Sequence, residues 1–251
     1  MKTIDAPRPN RMLSLLWCCL AAGWLCGAQA QALLNVDFGV GSASLKTGFA
    51  ATGQSTNDFW NLHSHYRPKF SPEMALVADG RTEGLKFADG SPSTAAVAVT
   101  NAPGVWGNAT GDPMLDSYLY APNGSNLIVS LTGLAPGRYH FYLYGWATAD
   151  GSREQTSTFI IRSGTNTVGP LNVAGALGWQ AGQTWREGAQ FVVGRDVPVE
   201  ANQAVVVEVV PGGGGVAVLN GLQIISRGTR PPALAAPPTV PGETDTNLVV
   251  R

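Results

Sequence analysis

Short runs of alternating apolar and polar residues recur along the chain, and glycine, proline and asparagine separate them. A period of two places successive side chains on opposite faces, which is typical of half-buried β-strands. No stretch of comparable length shows the 3.6-residue period of an amphipathic helix. We predict ten strands, in the runs 33–39, 84–90, 94–100, 117–121, 126–133, 138–147, 156–164, 189–194, 203–212 and 216–226. Many strands with short links and no helical crossover predict an all-β antiparallel β-sandwich of the jelly-roll type.

The link "LAPGRY" between the runs 126–133 and 138–147 carries strong turn residues. Pro136 has a fixed φ that suits a turn position, and Gly137 is free to take a positive φ. We therefore predict an antiparallel hairpin between these two strands.

The first thirty residues predict the compartment. Lys2, Arg8 and Arg11 precede the apolar run "MLSLLWCCLAAGWL", which is short for a membrane span. Ala28 and Ala30 then give the small-x-small spacing of a cleavage site. We predict a signal peptide over 1–30, with cleavage before Gln31 or, as the alternative, before Leu33, and a secreted protein, periplasmic or extracellular.

Removal of this leader changes the composition. It takes away all three cysteines (Cys18, Cys19 and Cys26), so the predicted mature protein is disulfide-free. It leaves 13 basic and 16 acidic residues, a net charge of −3, which favours neither nucleic acid nor insertion into a membrane. We predict one β-sandwich domain over 31–227, monomeric, followed by a proline-rich disordered tail over 228–251.

The stretch "RYHFYLYGWA" is unusually rich in rings. One parity carries Tyr139, Phe141 and Leu143, which suit a core because Phe141 and Leu143 have no polar atom. The other parity carries polar-edged rings, each needing water or a partner if it is buried. That second set is His140, Tyr142, Tyr144 and Trp146.

The run "MLDSYLYA" repeats the pattern, with Asp116, Tyr118 and Tyr120 on one parity. Both strands thus predict a polar-aromatic face suited to a sugar ring, with an ordinary aromatic core as the alternative. Loop aromatics are the rival platform, since Trp60 in "NDFWNLHSHY" and Trp106 in "PGVWGNATGD" lie beside amide or carboxylate residues. Trp179 and Trp185 in "GWQAGQTWREG" are similar, and each tryptophan has a packing role as its alternative.

Four motifs together resemble a known family, "LNVDFG", "LTGLAPGRYHFYLYGW", "WREGAQFVV" and "VAVLNGLQI". They are similar to secreted bacterial modules of the galactose-binding-like, malectin-like jelly-roll type, and the resemblance covers roughly 33–225. It implies a jelly roll that often binds carbohydrate, in many cases beside glycan-degrading enzymes, and in some members a structural calcium.

Enzymatic and metal chemistry are weakly indicated. "HSH" (His63 to His65) has cupin-like spacing, but Lys69 and Phe70 stand where the glutamate ligand is needed. Asp112 and Asp116 lack a helix to hold them as an acid/base pair. Asp37 and Asn220 would lie close if the first and last strands pair, yet they supply too few oxygens for calcium. We therefore predict no cofactor and no metal ligands, with a structural calcium as the alternative.

Three functions follow from these patterns. The first is a carbohydrate-binding module that recognises a polysaccharide or cell-surface glycan by aromatic stacking. The second is a glycan-active hydrolase or lyase, and the third is a structural or adhesive surface protein with no small ligand. Exposure of the aromatic side chains distinguishes among them.

Overall fold

The structure is a computed structural model, and it describes residues 32–39, 45–64, 78–121, 124–149 and 153–228. The predicted leader and, apart from Gly228, the predicted tail lie outside these residues. The described residues belong to one compact unit, which spans Gln31–Arg251. No helix within them is long and apolar enough to cross a membrane.

The described residues form strands and turns without helices, as the alternation predicts. The strands are β1 Leu33–Phe38, β2 Asn61–His63, β3 Gly80–Thr82, β4 Ala96–Thr100, β5 Gly104–Gly107, β6 Ser117–Tyr120, β7 Leu127–Thr132, β8 Gly137–Tyr144, β9 Trp146–Ala149, β10 Arg153–Ser163, β11 Asn166–Asn172, β12 Phe191–Val199, β13 Val205–Pro211, β14 Val218–Leu219 and β15 Gly221–Ser226.

These strands make an all-β sandwich, which confirms the predicted fold class. A five-stranded sheet has the order β12-β8-β15-β1-β2, and a seven-stranded sheet has the order β11-β10-β13-β7-β4-β3 with β9 paired to β10. A small third sheet has the order β14-β6-β5. Pairing is antiparallel except between β1 and β2. The first and last strands are neighbours, and their ends meet where Ser226 N donates to Ala32 O over 3.0 Å.

The core lies between the two large sheets. Alternate residues of β8 and β15 (Phe141, Leu143, Leu222 and Ile224) join one continuous buried cluster with valines of β4, β7 and β13. This confirms the predicted core parity of β8. Burial of apolar surface on this scale is the main stabilising contribution to such a fold.

Nine of the ten predicted runs contain a strand, and the exception is 84–90. There Phe87 and Lys86 make only isolated bridges, and a turn follows in which Gly90 N bonds Phe87 O. Sequence reasoning missed β2, β3, β5 and β11. Three of these have only three or four residues, too few for alternation to be read.

The predicted hairpin at "LAPGRY" is wrong, because β7 and β8 belong to different sheets. The link crosses from one sheet to the other, and the Tyr139 hydroxyl fixes the corner by donating to Ala135 O over 2.6 Å. Gly133 begins the crossing with a φ of 73°, where a Cβ would meet the Thr94 carbonyl oxygen. Both strands bury alternate residues in the same core, so opposite sheets satisfy the pattern as well as a hairpin does.

Candidate functional site

The small sheet carries the most exposed large ring in the described chain. Trp106 on β5 pairs with Tyr118 on β6, and its ring meets Tyr120 edge-on with centroids 6.3 Å apart. Their neighbours Val105 and Leu119 turn to the core. Tyr118 is buried, Tyr120 is half-buried, and Trp106 is 66% exposed. Pleating thus places one accessible tryptophan against the ring of Tyr120.

A cleft of about 640 Å³ begins at Gly107, the residue after Trp106. Two loop segments, 107–110 and 177–180, line it together with Trp146 and Thr148 of β9. The lining includes Leu177, which is 62% exposed, and the exposed amide of Gln180, while the Asn108 amide and the hydroxyls of Thr110 and Thr148 form hydrogen bonds within the protein. None of these groups is ionisable. The cleft therefore suits a neutral ligand with hydroxyl groups and apolar faces.

Asp116 holds the first loop in place. Its Oδ1 accepts hydrogen bonds from Thr110 N at 2.6 Å, Thr110 Oγ1 at 2.8 Å and Gly111 N at 3.0 Å. Asn108 ties the same loop to its neighbours, donating to Leu115 O and accepting from Thr148 N. Asp116 thus braces the loop through Oδ1, and its predicted ligand contact stays a prediction.

Glu154 holds the second loop. Its Oε1 accepts from Trp146 Nε1 at 2.8 Å and from Ala176 N at 2.7 Å. Trp179 packs on Trp185 with centroids 4.7 Å apart, which makes the loop compact. Sequence reasoning missed Glu154 and Leu177, since neither is aromatic and neither belongs to a recognisable motif.

The predicted aromatic face of β8 does not form a single surface. The strand ends at Tyr144, and the next residue, Gly145, packs so closely on the Phe159 ring that a Cβ there would lie 2.6 Å from it. Trp146 then belongs to β9, which pairs with β10 in the other sheet. Trp146 and Tyr144 are both buried, so their prediction as ligand platforms is wrong.

The hydroxyl group of Tyr144 forms its hydrogen bonds inside the protein. Its hydroxyl donates to Gln223 Oε1 and accepts from Ala51 N, and Gln223 Nε2 in turn donates to Asn35 Oδ1 over 2.9 Å. Burial raises the pKa of Tyr144 well above its ordinary value. The segment 45–60 covers this face of the sheet, and Asn35 Nδ2 bonds Phe59 O within it. The face is therefore a buried polar layer.

The remaining predicted residues divide by exposure. Trp60 is a buried plug whose Nε1 donates to Gly48 O, and Tyr118 is buried against Ala147 and Val218, so neither presents a face to a ligand. His140 and Tyr142 stay half-buried on β8. Of the nine predicted ligand residues, the structure brings Trp106, Tyr118, Tyr120 and Asp116 to one place, with Trp146 beneath the adjoining cleft.

The two residues considered as calcium ligands, Asp37 and Asn220, lie among other polar and charged partners. Asn220 lies beside the first strand as expected, but its Oδ1 accepts from Trp146 N and its amide donates to Ser117 O. Near Asp37, the Lys46 ammonium is paired with Asp112 and already supplies a positive charge. No group of three or more candidate ligands exists among the described residues.

Asp37 is nevertheless an unusual carboxyl group. Its Oδ2 accepts from Lys46 N at 3.0 Å, while Oδ1 has no hydrogen-bond partner in the described chain. Burial raises its pKa from 3.8 to about 7, with Asp112 adding to the rise and Lys46 opposing it.

His63 of the "HSH" motif is a core residue. Its ring nitrogens lie 2.9 Å from Thr82 Oγ1 and 3.2 Å from Ala78 O. Its partner in the motif, His65, lies outside the described residues.

No family model and no curated protein matches the chain. Among solved structures, the chain is similar to TmCBM61, determined in complex with β-1,4-galactotriose. The two are 15% identical with a TM-score of 0.27, and the match covers 51% of this chain and 80% of that one.

Proposed function

We propose that the protein is a secreted carbohydrate-binding module of jelly-roll type, which recognises a neutral polysaccharide by stacking a sugar ring on Trp106. The observation that carries this proposal is the exposed Trp106 ring, supported by Tyr120, at the start of a cleft lined by neutral groups. We further propose a signal peptide over 1–30, a single domain over 31–227 and a proline-rich disordered tail over 228–251.

Sugar rings have apolar C–H faces and hydroxyl edges. An indole face matches the first, and the exposed side-chain amide of Gln180 in the adjoining cleft matches the second. An aromatic contact contributes about 1 kcal/mol beyond its buried area. One exposed ring with a few hydrogen bonds therefore supports dissociation constants of roughly micromolar to millimolar.

Retention on insoluble neutral glycans, followed by titration with soluble fragments, tests this function. Trp106→Ala should weaken binding at least about tenfold, equivalent to 1.4 kcal/mol. Phe49→Ala is the matched control, since Phe49 is another exposed ring, 48% accessible, and lies outside the small sheet that carries Trp106. Binding should change little with salt, because no charged group lines the site.

Two outcomes would replace the proposal. Failure of every glycan to retain the wild-type protein would favour the structural or adhesive function. Release of reducing ends or unsaturated products, abolished by Asp116→Ala, would favour the hydrolase or lyase. The bracing bonds of Asp116 make a catalytic role the less favoured one.

A further inference from the structure

A β-bulge in β12 shapes the sheet surface that carries His140. In the pairing of β12 with β8, Gly194 faces Phe141 and Val197 faces Tyr139, so two residues stand opposite His140. They are Arg195 and Asp196, and Asp196 takes a φ of 57°. A bulge of this kind redirects side chains, and here it places Asp196 N within 3.2 Å of His140 Nδ1.

Three arginines converge on this bulge. Arg227 Nη1 bonds Asp196 Oδ1 at 2.7 Å, and Arg138 Nη2 bonds the Asp196 carbonyl oxygen at 2.9 Å. Arg195 makes two bonds to Glu187, at 2.7 and 2.5 Å. Each arginine side chain remains more than half exposed. We call Arg138, Arg195, Arg227 and His140 the arginine face.

The arginine face has an excess of positive charge. Three guanidinium groups face two carboxylates, within a mature chain whose predicted net charge is −3. His140 adds no charge near neutral pH, because burial and the nearby Arg227 and Arg195 lower its pKa against the opposing effect of Asp196. Exposed ion pairs contribute little to stability, so a ligand carboxylate can take the place of a protein one at small cost.

An aromatic surface adjoins the charges. Tyr142 follows His140 on the same side of β8 and is half-buried, with its ring stacked on Phe191 at 6.0 Å and 25°. Guanidinium groups bind carboxylates through paired, directional hydrogen bonds. An aromatic ring beside them offers a surface for the apolar face of a sugar.

We propose that the arginine face is a second binding site, which takes a uronic acid saccharide. Arg195 and Arg227 bind its carboxylates, and a sugar ring lies against Tyr142. The site shares no residue with the cleft beside Trp106.

Polygalacturonate and its fully methyl-esterified form are matched probes for this site. In the Trp106→Ala variant, whose neutral site is disabled, the full chain should bind the acid at low ionic strength, and not the ester. Binding should vanish in about 1 M NaCl, where the Debye length is about 3 Å. Arg195→Ala and Arg227→Ala should each weaken it about tenfold. Arg162→Ala is the control, since Arg162 is also half-exposed and pairs with Glu208, but on the other large sheet.

Arg195→Lys keeps the charge but loses the paired geometry, so it should bind more weakly than the wild type. The melting temperature of each variant shows whether it still folds with the bulge intact. Equal binding of the ester, equal weakening by Arg162→Ala, or no binding of the acid at low salt would each overturn the proposal. Trp106→Ala should leave the binding of polygalacturonate intact. A negative result for the uronic acid site and a negative result for the neutral site can therefore be told apart.

Discussion

The amide of Ala181 donates a hydrogen bond to the carbonyl oxygen of Thr110 over 2.9 Å, and this bond joins the two loops beside the cleft. Each loop also donates backbone hydrogen bonds to a carboxylate, the first loop to Asp116 and the second to Glu154. The cleft is thus preorganised, which lowers the entropy cost of binding.

Glu154 provides a test of this preorganisation. Glu154→Ala leaves Trp146 Nε1 and Ala176 N without their acceptor, so we expect a loss of about 1–3 kcal/mol in unfolding free energy and weaker retention on neutral glycans. Glu154→Gln keeps an oxygen at the same place and should stay close to the wild type. Denaturant titration and glycan retention measure the two effects. Equal loss in both variants would show that charge, rather than the two hydrogen bonds, matters.

Tyr144→Phe tests whether the polar layer is structural. Loss of the hydroxyl leaves Gln223 Oε1 and Ala51 N without a partner, which should cost about 1–3 kcal/mol of stability. Glycan retention should not change, because the ring is fully buried. A variant of unchanged stability that no longer binds glycan would return the ligand site to this sheet face.

We expect Asp37 to make the unfolding free energy depend on pH. Its folded-state pKa is about 7 against 3.8, so the folded state holds the proton more tightly than the unfolded state. The resulting stabilisation is complete below pH 3.8 and is lost as pH rises through 7, with an upper bound of about 4 kcal/mol. Asp37→Asn should remove this dependence and raise the melting temperature at pH 8. A variant with the same pH profile as the wild type would contradict the assignment.

Gly145→Ala tests the break between β8 and β9. The new methyl group would lie 2.6 Å from Phe159 and 2.9 Å from Ser157, so we expect a loss of about 1–3 kcal/mol. Gly107→Ala is the control, since its nearest contact would be 3.5 Å, from the Asp116 carbonyl oxygen. Chemical denaturation compares the two. Equal stability of both variants would mean that the Phe159 side chain moves to make room for the methyl group.

The fold class and the core parity of β8 could be predicted from the sequence. The parity was clear because the side chains of Phe141 and Leu143 have no polar atom and are stabilised by burial. The prediction failed for Tyr144, whose hydrogen-bond partner Gln223 lies 79 residues further on. Periodicity reports which residues share a face, but it does not report what covers that face. Trp106 was predicted as a loop aromatic, and it lies on a four-residue strand too short for its pattern to show.

The hydrogen bond between Ala32 and Ser226 has consequences for engineering the protein and for its folding during synthesis. Residues 32 and 226 lie side by side, so a short peptide could connect them in a circular permutant of the predicted domain. The same arrangement delays folding during synthesis. The centre of the five-stranded sheet needs β15 beside β1, so it cannot close until the ribosome has released residue 226.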